Sequence, residues 1–552
     1  MFFRTFSLAF ISTLVASGAW YAYKGDPNKP ELSPTFIVNQ TSPLFQQQTS
    51  SFYSTVTTPT AVGQNSDQSS SPALVVNNDQ LSATSTASEE PISKQTSESG
   101  RKVVGMLTPE EATQKLRRSE ESYFVGRGQG VVRYDMVQLP SNDPIEDDHA
   151  EKIVVTTRED GSSSDWMFWG VFDGHSGWTT SAKLRQALIS FVTRELNSTY
   201  QKAGASVSGS IFPSPEAIDA AIKRGFVNLD NEIVHWSVDK VLKANSKRVA
   251  AELLAPALSG SCALLAFYDS QSSMLRVACT GDSRAVLGRR AANGKWTATP
   301  LSEDQTGSTE SEIQRLRQEH PGEDNVVRNG RVLGNLEPTR AFGDAFYKWK
   351  RDTQDKIKRQ FFGRTPHQYL KTPPYVTAEP VVTATQVDPQ KGDFLVLATD
   401  GLWEMLSNDE VVGLVGQWLE HQRASAQGKD GVKGWLQSWW SQEGQLPIEK
   451  SVREDATGQR APIRQLQYNI PQSETRFVIE DKNAATHLIR NALGGKDKDM
   501  MCALLTLPSP YSRRYRDDLT VQVIFFGESE TTGNVTINSE ASASGRTVPA
   551  KL

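Results

Sequence analysis

Cysteine is scarce in this chain: three residues in 552, at Cys262, Cys279 and Cys502. That number and scatter exclude a disulfide framework and a cysteine-based zinc site, and each cysteine reads as a small buried core residue in a reducing compartment. A dominant charge is also lacking, because 59 basic and 64 acidic residues leave a formal net charge of -5 with both signs mixed. No global field therefore recruits nucleic acid. From Gly25 to about Gly100 clustered apolar residues are few and Ser, Thr, Gln, Asn and Pro prevail. Such a stretch cannot bury enough surface to offset its ordering entropy, so residues 25–100 read as a flexible tether. The tail, residues 528–552, is similarly polar and loose.

What is present begins with Arg4 and an uncharged apolar stretch from Thr5 to Tyr23, ending before Lys24. Its length is close to that which crosses a bilayer. Residues 1–24 are thus a targeting or membrane-anchoring segment. A secretory signal, a signal anchor and a mitochondrial presequence with a membrane stop all fit, one Arg being little for the Arg-rich mitochondrial type. The last three residues, Ala550-Lys551-Leu552, differ from the peroxisomal Ser-Lys-Leu address only at the first position and stand where an import receptor reads it. An unremarkable polar tail is the alternative, and the two ends imply dual or competing targeting.

Between residues 101 and 527 strand-like runs alternate with longer helical stretches, enough for one large domain. Trp178 to Leu196 places Leu184, Ala187, Leu188, Phe191 and Val192 on one side at three- and four-residue steps, and Asp409 to His421 does likewise. Ser261 to Ala266, Met274 to Thr280 and Ala285 to Gly288 are short strands separated by turn residues. Consecutive hairpins predict antiparallel sheets. Two stretches interrupt the pattern and read as surface insertions. Residues 347–375 are basic and aromatic, either steering an anionic phosphoprotein towards a cleft or forming a solvated charged face. Residues 423–480 are polar apart from Trp435, Trp439 and Trp440.

Four acidic positions, Glu146, Asp173, Asp400 and Asp517, stand at the edges of strand-like apolar runs, where a folded sheet can gather them. Carboxylates held together without a cation repel one another and are costly to ionise, whereas hard divalent ions bind through oxygen. Two such ions can share a hydroxide, lower its pKa and clamp a phosphoryl group for in-line attack. Asp173 suits a bridging position because Gly174 lets a backbone oxygen approach an ion closely. His175 beside it can protonate a departing alkoxide. Taken singly, an Asp-Gly pair is a turn and Asp282 is an ordinary hairpin residue.

The ordered series Asn142-Asp143-Pro144-Ile145-Glu146-Asp147, Val171-Phe172-Asp173-Gly174-His175-Ser176-Gly177, Ser259-Gly260-Ser261-Cys262-Ala263, Thr280-Gly281-Asp282-Ser283-Arg284-Ala285, Leu336-Glu337-Pro338-Thr339-Arg340-Ala341-Phe342-Gly343-Asp344, Ala398-Thr399-Asp400-Gly401-Leu402-Trp403-Glu404 and Arg516-Asp517-Asp518-Leu519-Thr520-Val521 closely resembles the metal-dependent type 2C (PPM) family of Ser/Thr protein phosphatases. The Asn-x-Pro-x-Glu-Asp and Pro-Thr-Arg-Ala-Phe-Gly-Asp versions are most similar to the mitochondrial, pyruvate dehydrogenase phosphatase-like fungal branch. The resemblance implies an α+β fold, an αββα sandwich of two antiparallel sheets flanked by helices. It implies Asp173 bridging two Mg2+ or Mn2+ ions, Asp400 and Asp517 completing one, and Glu146 with the Gly174 carbonyl completing the other. Asp147 then orients metal-bound water, Asp282 and Glu404 match a weaker third site, and His175 matches the general acid. Asp518 stands where many members have Asn, outside the direct ligand set. Many members grip the substrate phosphate with an Arg four residues before the first metal carboxylate, and this chain has Asn142 there. Arg133 and Arg340 are candidate substitutes, Arg340 reading better as an ion-pair residue.

The expected activity is hydrolysis of phosphoserine or phosphothreonine in a phosphoprotein by a metal-bridging hydroxide, with no covalent intermediate and no catalytic Cys. The rivals are a pseudophosphatase adaptor, disfavoured because every matched carboxylate survives, and a metal-dependent hydrolase of small phosphate esters. The expected setting is mitochondrial and membrane-anchored, with a peroxisomal alternative.

Overall fold

Side chains on a strand point alternately to opposite faces, so a strand apolar at every position must be covered on both. Phe394–Ala398 is such a strand, and Leu519–Phe526, which carries Thr520 and Gln522 among its apolar residues, is likewise buried throughout. The structure, a computed structural model, describes residues 73–77, 80–84, 102–157, 163–204, 212–428, 445–450, 459–471 and 473–543. The chain divides into two units.

In the smaller unit, Ala73–Asn77 pairs antiparallel with Gln80–Thr84 on one side and Lys102–Gly105 on the other. The stretch read as a tether therefore contains two strands, built on the β-favouring run Ala73-Leu74-Val75-Val76; the rest of residues 25–100 lies outside the described residues.

The two large sheets of the larger unit are made of twelve strands: β1 (Glu121–Gly126), β2 (Val131–Leu139), β3 (Asp148–Thr157), β4 (Ser163–Phe172), β5 (Ala263–Asp269), β6 (Met274–Thr280), β7 (Arg284–Arg290), β8 (Trp296–Pro300), β9 (Val381–Gln386), β10 (Phe394–Ala398), β11 (Leu519–Phe526) and β12 (Asn534–Ile537). One sheet runs β8-β7-β10-β11-β2-β1-β12 and the other β9-β6-β5-β4-β3, antiparallel throughout. Alternation assigns the faces. Leu395 and Leu397 of β10 meet Leu264, Ala266 and Tyr268 of β5 in a core between the sheets. Phe394, Val396 and Ala398 turn outward under four helices, α1 (Pro109–Arg117), α5 (Asn408–Ala426), α6 (Ala484–Ala492) and α7 (Lys498–Thr506). Ala263, Leu265 and Phe267 face the other way, under α2 (Thr179–Gly204) and α3 (Pro215–Asn231). The expected αββα sandwich is thus the observed one, and a Leu→Ala truncation in its central core costs ~2–5 kcal/mol. A smaller cluster, around Leu316 of α4 (Glu310–Glu319) with Val332, Leu370 and Tyr375, forms a separate lobe.

Two regions depart from expectation. The tail adds β12 to the edge of the larger sheet, because Val535 and Ile537 alternate onto the inter-sheet core. Within residues 347–375, Trp349 and Phe361 are buried with α2 and α3, and Leu370 and Tyr375 are buried in the lobe. That stretch is anchored by its aromatics, and its basic residues flank them. Trp435, Trp439, Trp440, residues 1–24 and Ala550-Lys551-Leu552 lie outside the described residues. Among the described residues no helix is long and apolar enough to cross a membrane.

Candidate metal centre

Antiparallel register brings the sequence-distant acids to one end of the sandwich. In the larger sheet Leu139 faces Leu519, Ala398 faces Val521 and Arg284 faces Ala398. In the smaller sheet Asp148 faces Phe172, Val171 faces Leu264 and Ala263 faces Thr280. The turn between β6 and β7 passes from one sheet to the other at this same end. Asp147, Asp173, Asp282, Asp400 and Asp517 all lie just beyond these strand ends.

Asp173, Asp282 and Asp400 each offer a carboxylate oxygen, and these lie within 4.8 Å of one another. Burial and mutual repulsion push their carboxyls up: Asp173 by burial and then by Asp400, Asp147, Asp517 and Asp282; Asp400 by burial and then by Asp517, Asp282 and Glu404. Burial also raises Asp282, against the Cys262 thiol that donates to its Oδ1 at 3.2 Å. Asp400 Oδ1 is buried and accepts no hydrogen bond. Such an oxygen-only donor set, with an unsatisfied buried oxygen, fits a hard divalent cation such as Mg2+ or Mn2+.

Asp517 is ion-paired with Arg513, four residues earlier in the chain. Burial raises its carboxyl to about 6, Arg513 opposing. Glu146 lies on the other side, where its Oε1 accepts from Gly177 N at 2.8 Å and burial raises its carboxyl. Its backbone carbonyl accepts from Ser181 Oγ and packs so close to Gly174 that a Cβ there would overlap it. Gly174 is therefore required by contact with the Glu146 carbonyl.

Asp147 is nearly fully buried, and its Oδ2 accepts from Thr399 Oγ1 at 2.9 Å and Thr520 Oγ1 at 2.8 Å. Burial, then Asp518 and Asp517, push its carboxyl well up. Asp518 is held by the loop before Glu146. It accepts from the backbone N–H groups of Ser141, Asn142 and Glu146 and from the Asn142 amide at 3.0 Å, so it shapes the loop that presents Glu146. Asn142 is thereby engaged with Asp518. Glu404 accepts from Arg464 Nε at 2.9 Å, and its field reaches Asp400.

His175 Nε2 is 2.6 Å from Asp344 Oδ2. Burial alone would lower the imidazole; the charge and hydrogen bond of Asp344, with the charges of Asp282 and Glu146, outweigh it together, and the net direction is upward, favouring the protonated ring. A Cβ on residue 260 would overlap both partners, so Gly260 is the clearance that lets them meet. Asp344 adopts a left-handed backbone, φ 47°, at the close of a motif whose sequence gave its carboxylate no role. Arg513, Thr399 and Thr520 were also missed, since their parts depend on which strand ends meet. Neither Arg133 nor Arg340 faces the acids through a free guanidinium. Arg133 binds Asp135 and the Lys482 carbonyl and lies 5.0 Å from the Trp418 ring centre; Arg340 binds Glu312 and the Glu379 carbonyl.

Comparison with known proteins agrees with this geometry. The profile of the protein phosphatase 2C family matches residues 141–430. Pyruvate dehydrogenase (acetyl-transferring) phosphatase 1, mitochondrial, of Saccharomyces cerevisiae is 45% identical over 434 residues, 76% of this chain and 72% of that protein. A protein phosphatase 2C homolog of Schizosaccharomyces pombe is 46% identical over 418 residues, 75% of this chain and 85% of its own. The human pyruvate dehydrogenase (acetyl-transferring) phosphatase 1, mitochondrial, is 31% identical over 489 residues, 76% and 83% of the two chains. With the acids converged at one sheet end and its relatives so similar over most of their length, this chain belongs to the protein phosphatase 2C family and is a metal-dependent protein-serine/threonine phosphatase.

Proposed function

We propose that the substrate is a phosphoserine or phosphothreonine of the pyruvate dehydrogenase complex or of another mitochondrial phosphoprotein. The observation that carries this reading is the 45% identity to the yeast enzyme that bears that name, over 76% of this chain. Residues 1–24 then direct the chain to mitochondria and anchor it in a membrane, while Ala550-Lys551-Leu552 offers a competing address to a peroxisomal import receptor.

At the site, Asp173, Asp400 and Asp517 would hold one Mg2+ or Mn2+ and Asp173, Glu146 and the Gly174 carbonyl a second, with Asp282 and Glu404 beside a weaker third. Bound divalent cations supply positive charge at the phosphoryl oxygens and an acidified water as nucleophile. Asp147, fixed by two threonines, orients that water. His175, held protonated by Asp344, gives its proton to the departing seryl or threonyl oxygen. No thiol takes part, and the Cys262 thiol beside Asp282 is pushed up by burial and then by Asp282 and Asp173.

The test compares Mn2+-dependent rates on a phosphoserine peptide of pyruvate dehydrogenase, an unrelated phosphopeptide and p-nitrophenyl phosphate, with a chelator and a thiol alkylator as controls. Preference for the first, loss with chelator and indifference to alkylation support the reading. Equal rates on all three would remove the protein-substrate assignment. Imaging the full chain beside versions lacking residues 1–24 or the last three residues decides between the addresses.

A further inference from the structure

The loop that presents Glu146 has Asn142 where a phosphate-gripping Arg would stand, and Asn142 is engaged with Asp518. The substrate phosphoryl group still carries negative charge that the protein must receive. Four other arginines around the cleft or proposed for the role are bound elsewhere: Arg133 by Asp135, Arg340 by Glu312, Arg460 by Glu337 at 2.7 Å, and Arg464 by Glu404 with a second bond to Gln467 at 2.8 Å.

Arg513 differs in three ways. Its side chain is 45% exposed, and among the described residues its ion-pair partner is Asp517. Through that pair it stands beside the acidic group, and its charge acts on Asp517, Asp400 and Asp173 and on Glu146. The third difference is where its turn is tied. Ser512 Oγ donates to the Ser141 carbonyl, Ser141 Oγ donates to the Arg516 carbonyl at 2.8 Å, and Arg516 Nη2 donates to the Pro140 carbonyl at 2.7 Å. These bonds dock residues 512–516 against the very loop that carries Asn142.

We propose that Arg513 is the guanidinium that receives the substrate phosphoryl group, replacing in space the Arg that the Asn142 loop lacks. The proposal rests on the metal-site reading above, because it is a cation on Asp517 that releases the guanidinium from its pair. A planar fork of N–H donors then meets two phosphoryl oxygens, a geometry a lysine ammonium cannot match. In the metal-free protein the same arginine offsets part of the repulsion among the carboxylates, and so competes with the cation for Asp517.

The experiment uses the full chain with Mn2+, as wild type, Arg513→Ala and Arg513→Lys, each checked for a native melting transition. Calorimetry measures inorganic phosphate binding in Mn2+ and, separately, Mn2+ binding; kinetics separate KM from kcat on a phosphopeptide. The expected result is that Arg513→Ala weakens phosphate binding and raises KM by about 10- to 100-fold, the size of a lost charge-assisted pair. Arg513→Lys recovers part of it, and Mn2+ binding stays level or tightens in both. Unchanged phosphate binding together with weaker Mn2+ binding in Arg513→Ala overturns the proposal and leaves Arg513 as a brace for Asp517. A wild type that binds no Mn2+ overturns the underlying site reading instead, which the separate metal titration distinguishes.

Discussion

Asp173 and Asp400 carry two opposed effects in one carboxylate each. Their mutual repulsion and burial weigh against the folded state, and those same charges suit them to a divalent ion. Asp173→Asn and Asp400→Asn should each lower phosphopeptide turnover by about 100-fold or more, since even groups behind a metal's ligands are worth 10–100-fold. Both variants should melt in chelator at or above the wild-type temperature yet gain little from Mn2+, whereas the wild type gains on the order of 2.7 kcal/mol at a hundredfold excess over Kd. Melts with and without Mn2+ check this, and a variant that keeps the full Mn2+ gain disproves the ligand role. At His175 the test is the leaving group. Gly260→Ala crowds the His175–Asp344 pair, and Asp344→Asn removes its charge. Both should slow hydrolysis of phosphoserine, whose alkoxide needs a proton, more than that of p-nitrophenyl phosphate, whose leaving group does not. An equal loss on both substrates argues against proton donation. The contrast between these residues also says what was legible in the chain. The acids could be found because each flanks an apolar strand-like run, a local signal. Asp344 and Arg513 could not, because one depends on the missing Cβ of Gly260 and the other on a turn docked against a loop more than 350 residues away in sequence.

Strands with both faces covered announced themselves as largely apolar runs, so Met274–Thr280, Phe394–Ala398 and Leu519–Phe526 fall where periodicity puts them. Helices α2 and α5 run beyond their apolar stripes, to Gly204 and Ala426, because their distal turns are polar and carry no pattern. Contacts between elements were less legible, and one of them titrates. Glu120, ahead of β1, accepts from Thr486 Oγ1 of α6 at 2.8 Å. Burial raises its carboxyl to about 7, the Thr486 bond and Arg117 opposing. The folded state thus keeps this proton at a pH where the unfolded chain has lost it. Between about pH 4.5 and 7 the unfolded state binds fewer protons at this site, so its contribution makes stability fall as pH rises. Glu120→Gln should flatten that part of the profile. Denaturant titrations at several pH values across the window check it, and an unchanged slope would show that the carboxyl titrates normally.

At the scale of the whole molecule the tail matters most, because its polar composition suggested a loose end and the fold uses it as an edge. β12 pairs with β1 from Asn534 opposite Gly126 to Ile537 opposite Tyr123. Val535 and Ile537 pack on the core between the sheets. Beyond β12, Asn538 N donates to the Ser122 carbonyl at 2.9 Å, Ser122 N donates to Ser542 Oγ at 2.9 Å, and Asn483 Nδ2 reaches the Ala541 carbonyl at 3.0 Å. The last of these bonds joins the tail to the N-cap of α6, so the segment fastens sheet and helix layer together. A chain ending after Gly527 loses the strand, two apolar side chains and this fastening, and leaves β1 as an open edge with Phe124, 46% exposed, beside it. An unpaired edge templates association. That truncation should lower the melting temperature by a few degrees, at about 1 °C per kcal/mol for a domain well above 250 residues, and raise light scattering on heating. A chain ending after Ala543 keeps every one of these contacts and should melt with the full-length protein. The site lies at the far strand ends, where Leu139 meets Leu519, so the shorter chain should retain Mn2+-dependent turnover at low temperature while it remains folded. If both truncations melt alike, β12 is not the brace that its hydrogen bonds describe.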